Sequence, residues 1–269
     1  MILRKTIILL AIIHIALLAS CSAAPHYILP APSVLAAGQS ASFSGSGNEH
    51  AGNEAGTLAK EPIDTRPMIA LTFDDGPSPH TDRILDLLER YGGQATFFVV
   101  GRNVEEWQDT VIRMVNMGSE AANHTWYHPR LTEISNHRIR EELRTTSAVI
   151  ERVIGVPPPR FFRPPFGSVN GRVANVSAEL GYAVITWTLD TRDWEVRNAD
   201  AVYNIIMHRA EENSVILMHD THITTADAME RVIPALIARG YRLVTVSELL
   251  HSLYGELEPG KIYGTYVYP

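Results

Sequence analysis

The chain has 269 residues, 45% hydrophobic and 20% charged, enough to bury a sizeable core in one domain or two modest ones and too apolar for disorder throughout. Lys and Arg total 23 against 30 Asp and Glu, a net charge of -7, so there is no basic field to grip a phosphate backbone and nucleic acid is excluded as a partner class. With Cys21 as the single cysteine, neither an internal disulfide nor a Cys-rich zinc site can form, and any metal must be held by His and carboxylates.

At the start of the chain, Arg4 and Lys5 precede an uncharged, mostly apolar run from Thr6 to Leu18. That run is short for a bilayer span but suits a secretory signal, so residues 1–20 read as a targeting segment. It ends Leu18-Ala19-Ser20-Cys21, which resembles a bacterial lipobox; there the cysteine is diacylated and becomes the mature N-terminus. The alternative is ordinary cleavage after a small residue. Residues 21–66 then form a lipidated N-terminus and a tether rich in Ala, Gly, Ser and Pro, with no sustained apolar period. The expected location is the extracytoplasmic face of the cell membrane, lipid-anchored, or the medium if the lipobox is not used.

From Met68 onward short apolar runs alternate with amphipathic segments. Strands are predicted at Met68–Phe73, Ala95–Val100, Ser119–Asn123, Arg160–Arg163, Ala183–Thr188, Ser214–Met218 and Tyr241–Val246. Helices are predicted at Thr81–Tyr91, Glu105–Met117, Thr132–Ile154, Val173–Leu180, Asp200–Glu211, Thr225–Ala238 and Ser247–Leu253, several closed by glycine. Pro234 should kink or break the helix that contains it. Strand–helix alternation implies a parallel sheet, and seven units in under 200 residues point to a distorted α/β barrel, with an open doubly wound sheet as the alternative. The domain is expected over 67–254, followed by a tail, 255–269, whose tyrosines Tyr263, Tyr266 and Tyr268 pack along the barrel.

The conspicuous polar residues all follow strands: Asp74-Asp75-Gly76-Pro77, His124 and His128, Arg163-Pro164-Pro165-Phe166-Gly167, Asp190 to Trp194, and His219-Asp220. In a parallel barrel the strand C-termini open on one rim, so five distant segments would converge on one mouth. Each also has a plainer reading. Asp74 and Asp75 could cap a helix as a polar turn, His124 and His128 could be surface residues, and His219 could be a satisfied buried histidine. Read as a site, two imidazoles four apart with one carboxylate make a facial triad with open coordination positions, while a neighbouring carboxylate accepts a proton. A guanidinium at Arg163 would keep Asp74 ionised, the backbone at Phe166 could donate to an oxyanion, Asp193 could pair with a histidine, and Trp194 could wall a sugar groove. His219 then serves as an acid with a raised pKa. His222 could compete as a ligand, while Trp107 and Trp187 read as core.

As a set these motifs resemble the polysaccharide deacetylase family, or NodB homology domain, over about Arg66 to Leu250. The resemblance rests on Thr72-Phe73-Asp74-Asp75-Gly76-Pro77, His124-Thr125-Trp126-Tyr127-His128-Pro129, Arg163-Pro164-Pro165-Phe166-Gly167, Asp190-Thr191-Arg192-Asp193-Trp194 and Leu217-Met218-His219. It implies a deformed TIM-like barrel with fewer than eight regular repeats. It also implies a divalent metal, usually zinc with Co2+, Ni2+ or Mn2+ as alternatives, on Asp75, His124 and His128. By the same resemblance Asp74 is the base, His219 the acid, Arg163 and Asp193 their tuning partners, and Leu217 with Trp194 the acetyl pocket. Ser119 and Ala122 depart from the His and Gly common in relatives, which bears on the shape of the rim.

The implied activity is metal-dependent hydrolysis of N-acetyl groups on an amino-sugar polymer, with peptidoglycan as the substrate nearest a membrane-anchored monomer. Trp126, Tyr127, Phe166 and Trp194 offer stacking faces, and the motifs contain no cation besides Arg163 and Arg192 to meet a lactyl carboxylate, so the sugar reads as GlcNAc. Chitooligosaccharide or acetylxylan deacetylation, and a non-catalytic glycan-binding module, are the alternatives.

Overall fold

The computed structural model describes residues 64–265. The predicted signal segment, Cys21, the tether up to residue 63 and the tyrosines Tyr266 and Tyr268 lie outside them. The described chain is a distorted (β/α) barrel in which every strand pairing is parallel. In chain order the elements are β1 Met68–Asp74, α1 Thr81–Tyr91, β2 Thr96–Val99, α2 Gln108–Asn116, β3 Glu120–Asn123, α3 Asn136–Ile154, β4 Phe161–Phe162, α4 Gly171–Glu179, β5 Ala183–Ile185, β6 Leu189–Asp190, α5 Asp193–Val196, α6 Ala199–Arg209, β7 Val215–His219, α7 Ile223–Ala238, β8 Arg242–Leu243, α8 Val246–Tyr254 and β9 Ile262–Tyr263. The sheet runs β6-β7-β1-β2-β3-β4-β5-β9, with β8 on the lower part of β1.

The strands are buried on both faces, yet the two-residue period still sorts their side chains. On β1, Ile69, Leu71 and Phe73 point outward into the layer formed with Ile84, Leu85 and Leu88 of α1 and Met229, Val232 and Ile233 of α7. The alternate residues Ala70, Thr72 and Asp74 point inward. Ala70 and Val215, low in the barrel, pack with Phe98, Ala122 and Phe161 and with Val246, Leu249 and Leu250 of α8, which plugs the end opposite the strand C-termini. Apolar residues therefore fill one end and polar ones crown the other. A left-handed glycine closes α1 at Gly92 (φ 65), where its N–H bonds the carbonyl of Glu89 and no side chain would be tolerated cheaply.

Seven strands were expected and nine are found among the described residues. The run 183–188 is not one strand: β5 pairs with β4 and ends at Ile185, the chain bends at Thr188, and β6 pairs with β7 (Leu189↔Ile216, Asp190↔Leu217). One bent segment thus bridges the two sides of the barrel, helped by Thr188 N–H donating to Val215 O at 2.9 Å. Part of the tail joins the sheet as β9, where Tyr263 is buried beside β5. The strand expected at 241–246 is shorter because Val246 already begins α8, capped by the Thr245 hydroxyl. Pro234 does not break α7, which runs continuously through it; the bond lost at its nitrogen is offset by burial of Met229, Val232, Ile233 and Leu236 on the same helix. Ser119 sits at the start of β3, away from the rim, and Ala122 is in the core, so neither departure from the family pattern shapes the mouth.

Candidate active site

The register of β1 on β7 sets Asp74 directly beside His219 at the strand C-termini. Beneath them lies Arg163, fully buried at the end of β4. Its Nη1 donates to Asp74 Oδ1 at 2.7 Å and to Thr72 Oγ1 at 2.8 Å, its Nη2 donates to Thr186 O at 3.0 Å, and its guanidinium lies 4.0 Å from the Phe98 ring centre. A charge this deep is tolerable only when paired and hydrogen-bonded, and the inward alternation of β1 supplies both partners. Asp74 Oδ1 is occupied by this contact, which leaves Oδ2 facing the mouth.

Asp75, one residue on, adopts a left-handed backbone (φ 75) that turns its carboxylate away from Asp74. Its Oδ1 lies 3.0 Å from His128 Nε2 and 3.3 Å from His124 Nε2. His124 Nδ1 is 2.8 Å from Arg163 O; a carbonyl can only accept, so Nδ1 carries the proton and Nε2 presents its lone pair. Burial would raise Asp75, but hydrogen bonds and positive charge from the two imidazoles, when their Nε2 atoms carry protons in place of an ion, hold the carboxylate well below its usual range. Asp75, His124 and His128 are the group of metal-competent donors found among the described residues, their ligating atoms within 4.8 Å of one another. One carboxylate and two imidazoles suit a borderline divalent ion with open coordination positions, so the residues fit a metal. His222 faces the same mouth, with its ring 6.0 Å from that of His219, but is not part of this donor group.

Across the mouth, Asp193 Oδ1 accepts from His219 Nδ1 at 2.8 Å, and its Oδ2 accepts from His219 N at 2.7 Å and Thr225 Oγ1 at 2.6 Å. Burial opposes charge on His219, but Asp193, helped by Asp74 and Asp75, carries the imidazole up to about 9. The same pair holds Asp193 below its ordinary range against its own burial. With Nδ1 engaged, His219 offers Nε2–H to the cavity.

These groups line one cavity of about 580 Å³ together with Arg130, Phe166, Trp187, Asp190, Trp194, Arg197 and Leu217. Trp187 is buried but reaches the site, whereas Trp107 is only half-buried on the barrel exterior. Phe166 (φ 59) stacks edge-on to His128, centroids 4.6 Å apart, and both Phe166 and Trp194 are about half exposed as walls. Trp126 and Tyr127 do not line the cavity. Their backbone N–H groups donate to Glu142 Oε2 of α3 at 2.7 and 2.8 Å, which turns Trp126 onto the core and Tyr127 beneath Arg138.

Two supporting residues had no role in the sequence reading. Glu142 is a buried carboxylate on the apolar face of α3, beside Ile139, Leu143 and Thr146, and it fixes the His124–His128 loop; a charge at a core position of a helix was the available signal. Asp220 is wholly buried after β7. Burial and Asp75 push it up to about 7, its Oδ2 accepts from Thr81 Oγ1, and its carbonyl accepts from Ser78 Oγ at 2.6 Å. A Cβ on Gly76 would stand 2.2 Å from Asp220 Oδ2, so the turn that aims Asp75 closes over this carboxyl only because residue 76 is glycine. Gly76→Ala is therefore expected to destabilise the fold by about 1–3 kcal/mol and to lower metal affinity. Thermal melts and metal content check this, and a wild-type melt with full metal would show that Asp220 moves aside freely.

A parallel barrel thus carries a His-His-Asp donor set, a buried Arg–Asp pair and an Asp–His pair on one rim, the groups that metal-assisted hydrolysis would require. The family model for polysaccharide deacetylase matches residues 62–185. The chain is 41% identical over 183 residues to the peptidoglycan-N-acetylmuramic acid deacetylase PdaC of Bacillus subtilis, covering 68% of this chain and 38% of that protein. It is 40% identical over 202 residues to the peptidoglycan-N-acetylglucosamine deacetylase PgdA of Listeria monocytogenes, covering 74% of this chain and 41% of that protein. The solved structure of PdaC from Bacillus subtilis superposes with a TM-score of 0.66 at 40% identity, covering 69% of this chain and 91% of the solved one. The chain belongs to the polysaccharide deacetylase family. It spans about two fifths of the length of these two curated relatives.

Proposed function

We propose that this protein removes the N-acetyl group from an amino sugar of peptidoglycan, GlcNAc in preference, giving acetate and a free amine. The observation that carries the reading is the single mouth on which a carboxylate, a protonated imidazole and a metal-competent donor set face each other across about 580 Å³. Asp75, His124 and His128 would hold a divalent ion, zinc before cobalt, nickel or manganese, and a bound ion supplies Lewis-acid polarisation of the amide carbonyl and acidifies a water.

The chain's own groups do the rest. Asp74 Oδ2 takes the proton from the attacking water while Arg163 holds the carboxylate in place through Oδ1. The Phe166 N–H donates to the oxygen that becomes anionic. His219 passes its Nε2 proton to the amide nitrogen as the C–N bond breaks, and Asp193 keeps that imidazole charged and oriented. Leu217 and Trp194 enclose the acetyl methyl.

Because His219 must be protonated, activity holds below its pKa and falls as pH rises through it. Asp193→Asn removes the group that raises that pKa, so the alkaline limb of kcat/KM should move from near 9 toward the ordinary histidine value of about 6.5, with a lower plateau. A pH–rate profile with an unmoved limb would contradict the pairing.

Acetate release from peptidoglycan, chitooligosaccharides and acetylxylan, with and without chelator, tests the activity. Peptidoglycan should lead, and silence on all three would favour a glycan-binding module. Lipidation at Cys21, which would hold this monomer on the extracytoplasmic face of the cell membrane, is part of the proposal and rests on Leu18-Ala19-Ser20-Cys21. Mass spectrometry of the mature N-terminus should find an acylated Cys21, and an unacylated chain starting elsewhere would remove the anchor.

A further inference from the structure

The preference for GlcNAc read from the sequence leaned on a lack of cations near the motifs, and the fold supplies two. Arg130 follows the His124–Pro129 motif, and its guanidinium stacks 4.2 Å from the Phe166 ring centre. Arg197 follows α5, the single turn that carries Asp193 and Trp194. Both arginines line the catalytic cavity. They stand behind its two aromatic walls, Arg130 behind Phe166 and Arg197 beside Trp194, whose carbonyl accepts from Arg197 Nε at 2.6 Å.

The neighbouring Arg192 is a useful contrast. Its Nε donates to Glu195 Oε2 at 2.7 Å, so its charge is neutralised within α5, and it does not line the cavity. Arg197 pairs with no carboxylate among the described residues. It is held in a left-handed backbone (φ 45), a strained conformation for a non-glycine residue and one that ends the turn beside the cavity. Burial first, and then the nearby Arg197 guanidinium, lower the pKa of His222 on the same rim. The chain is acidic overall, and Asp74, Asp75 and Asp190 lie deeper in the same cavity, so the cationic rim is a local feature and not a consequence of composition.

An amino-sugar polymer without acid groups gives such a rim nothing to bind. Guanidinium groups beside aromatic walls suit a glycan whose neutral sugar faces stack while a carboxylate next to them is gripped. We propose that Arg130 and Arg197 form a carboxylate-binding subsite for the residue adjacent to the one deacetylated, so that the preferred substrate is an amino-sugar strand bearing a carboxylate at every second sugar. This deepens the peptidoglycan reading given above and rests on it. Peptidoglycan offers that carboxylate in two ways, as the free acid of an O-lactyl group or on the peptide stem the lactyl group carries.

The test measures kcat/KM for acetate release on three probes: N-acetylchitotetraose, glycan strands stripped of peptide so that lactyl acids are free, and strands with peptide stems intact. It is paired with equilibrium binding of the same strands to metal-loaded protein. The wild type should prefer a carboxylated strand, and added sodium chloride should shrink that preference. Arg197→Gln and Arg130→Gln should each reduce the ratio of charged to neutral kcat/KM roughly tenfold, and Arg197→Lys should restore part of it. Loss confined to stripped strands assigns the lactyl acid, and loss confined to intact strands assigns the stem. A ratio unchanged in both Gln variants, or a wild type that prefers the neutral oligosaccharide, overturns the subsite. If no probe releases acetate, the enzymatic reading fails separately; binding of carboxylated strands that still depends on Arg197 keeps the subsite, and binding indifferent to it removes it.

Discussion

Asp74→Asn is expected to lower kcat by about 10²–10⁴-fold while leaving one metal per chain bound. The substitution keeps an oxygen for Arg163 Nη1, now 2.7 Å from Asp74 Oδ1, but abolishes the negative charge that compensates a fully buried guanidinium. Two effects should therefore appear together. Turnover falls because an amide cannot take a proton from water, and the melting temperature falls because the Arg163 charge is no longer neutralised, removal of one partner from a buried pair costing about 3–5 kcal/mol at the full extent. The neutral acceptor retained in Asn should leave the stability loss short of that figure. Rates measured well below the melt separate the two effects. An Asp74→Asn protein with near wild-type kcat would remove Asp74 as the base.

His124→Ala should remove the metal itself. Its Nε2 is one of three converging donors, and its Nδ1–H bond to Arg163 O is what aims that lone pair. Losing both a donor and the link to the Asp74–Arg163 pair should exceed the about 10–100-fold loss in affinity typical of disrupting a ligand's supporting hydrogen bond. Acetate release should fall to background, and metal analysis of the purified protein should return well under one ion per chain. A His124→Ala chain with a full equivalent of tightly held metal would place the ion elsewhere.

The parts of the fold that were legible in the sequence are those whose period is long enough to read. β1 alternates outward Ile69, Leu71 and Phe73 with inward Ala70, Thr72 and Asp74, and the helix α1 lies where its apolar spacing and Gly92 place it. The convergence of five strand ends on one mouth followed from parallel topology alone. Two-residue strands such as β6 and β9 carry no period, so their pairing is decided by the need to span the barrel and is visible only in three dimensions. α5 is a four-residue turn set between left-handed Arg192 and Arg197, residue types that do not announce such a backbone. Trp126 and Tyr127 misled because aromatic residues beside ligands suggest stacking, whereas their direction is set by backbone bonds to Glu142, sixteen and fifteen positions away. Arg130 and Arg197 lie outside every motif, and only the path of the loops brings them to the rim.

In the proposed reaction Asp75, His124 and His128 hold one ion that works with Asp74 on an acetamido group. Titrating metal-stripped protein with zinc, while counting bound metal and acetate released from peptidoglycan in the same samples, tests it most directly. Release should rise in proportion to bound metal and saturate at one equivalent, and Asp74→Asn should bind the same equivalent while releasing almost nothing. Acetate release from the stripped wild-type protein at the full rate, or saturation of binding without any release, would contradict it.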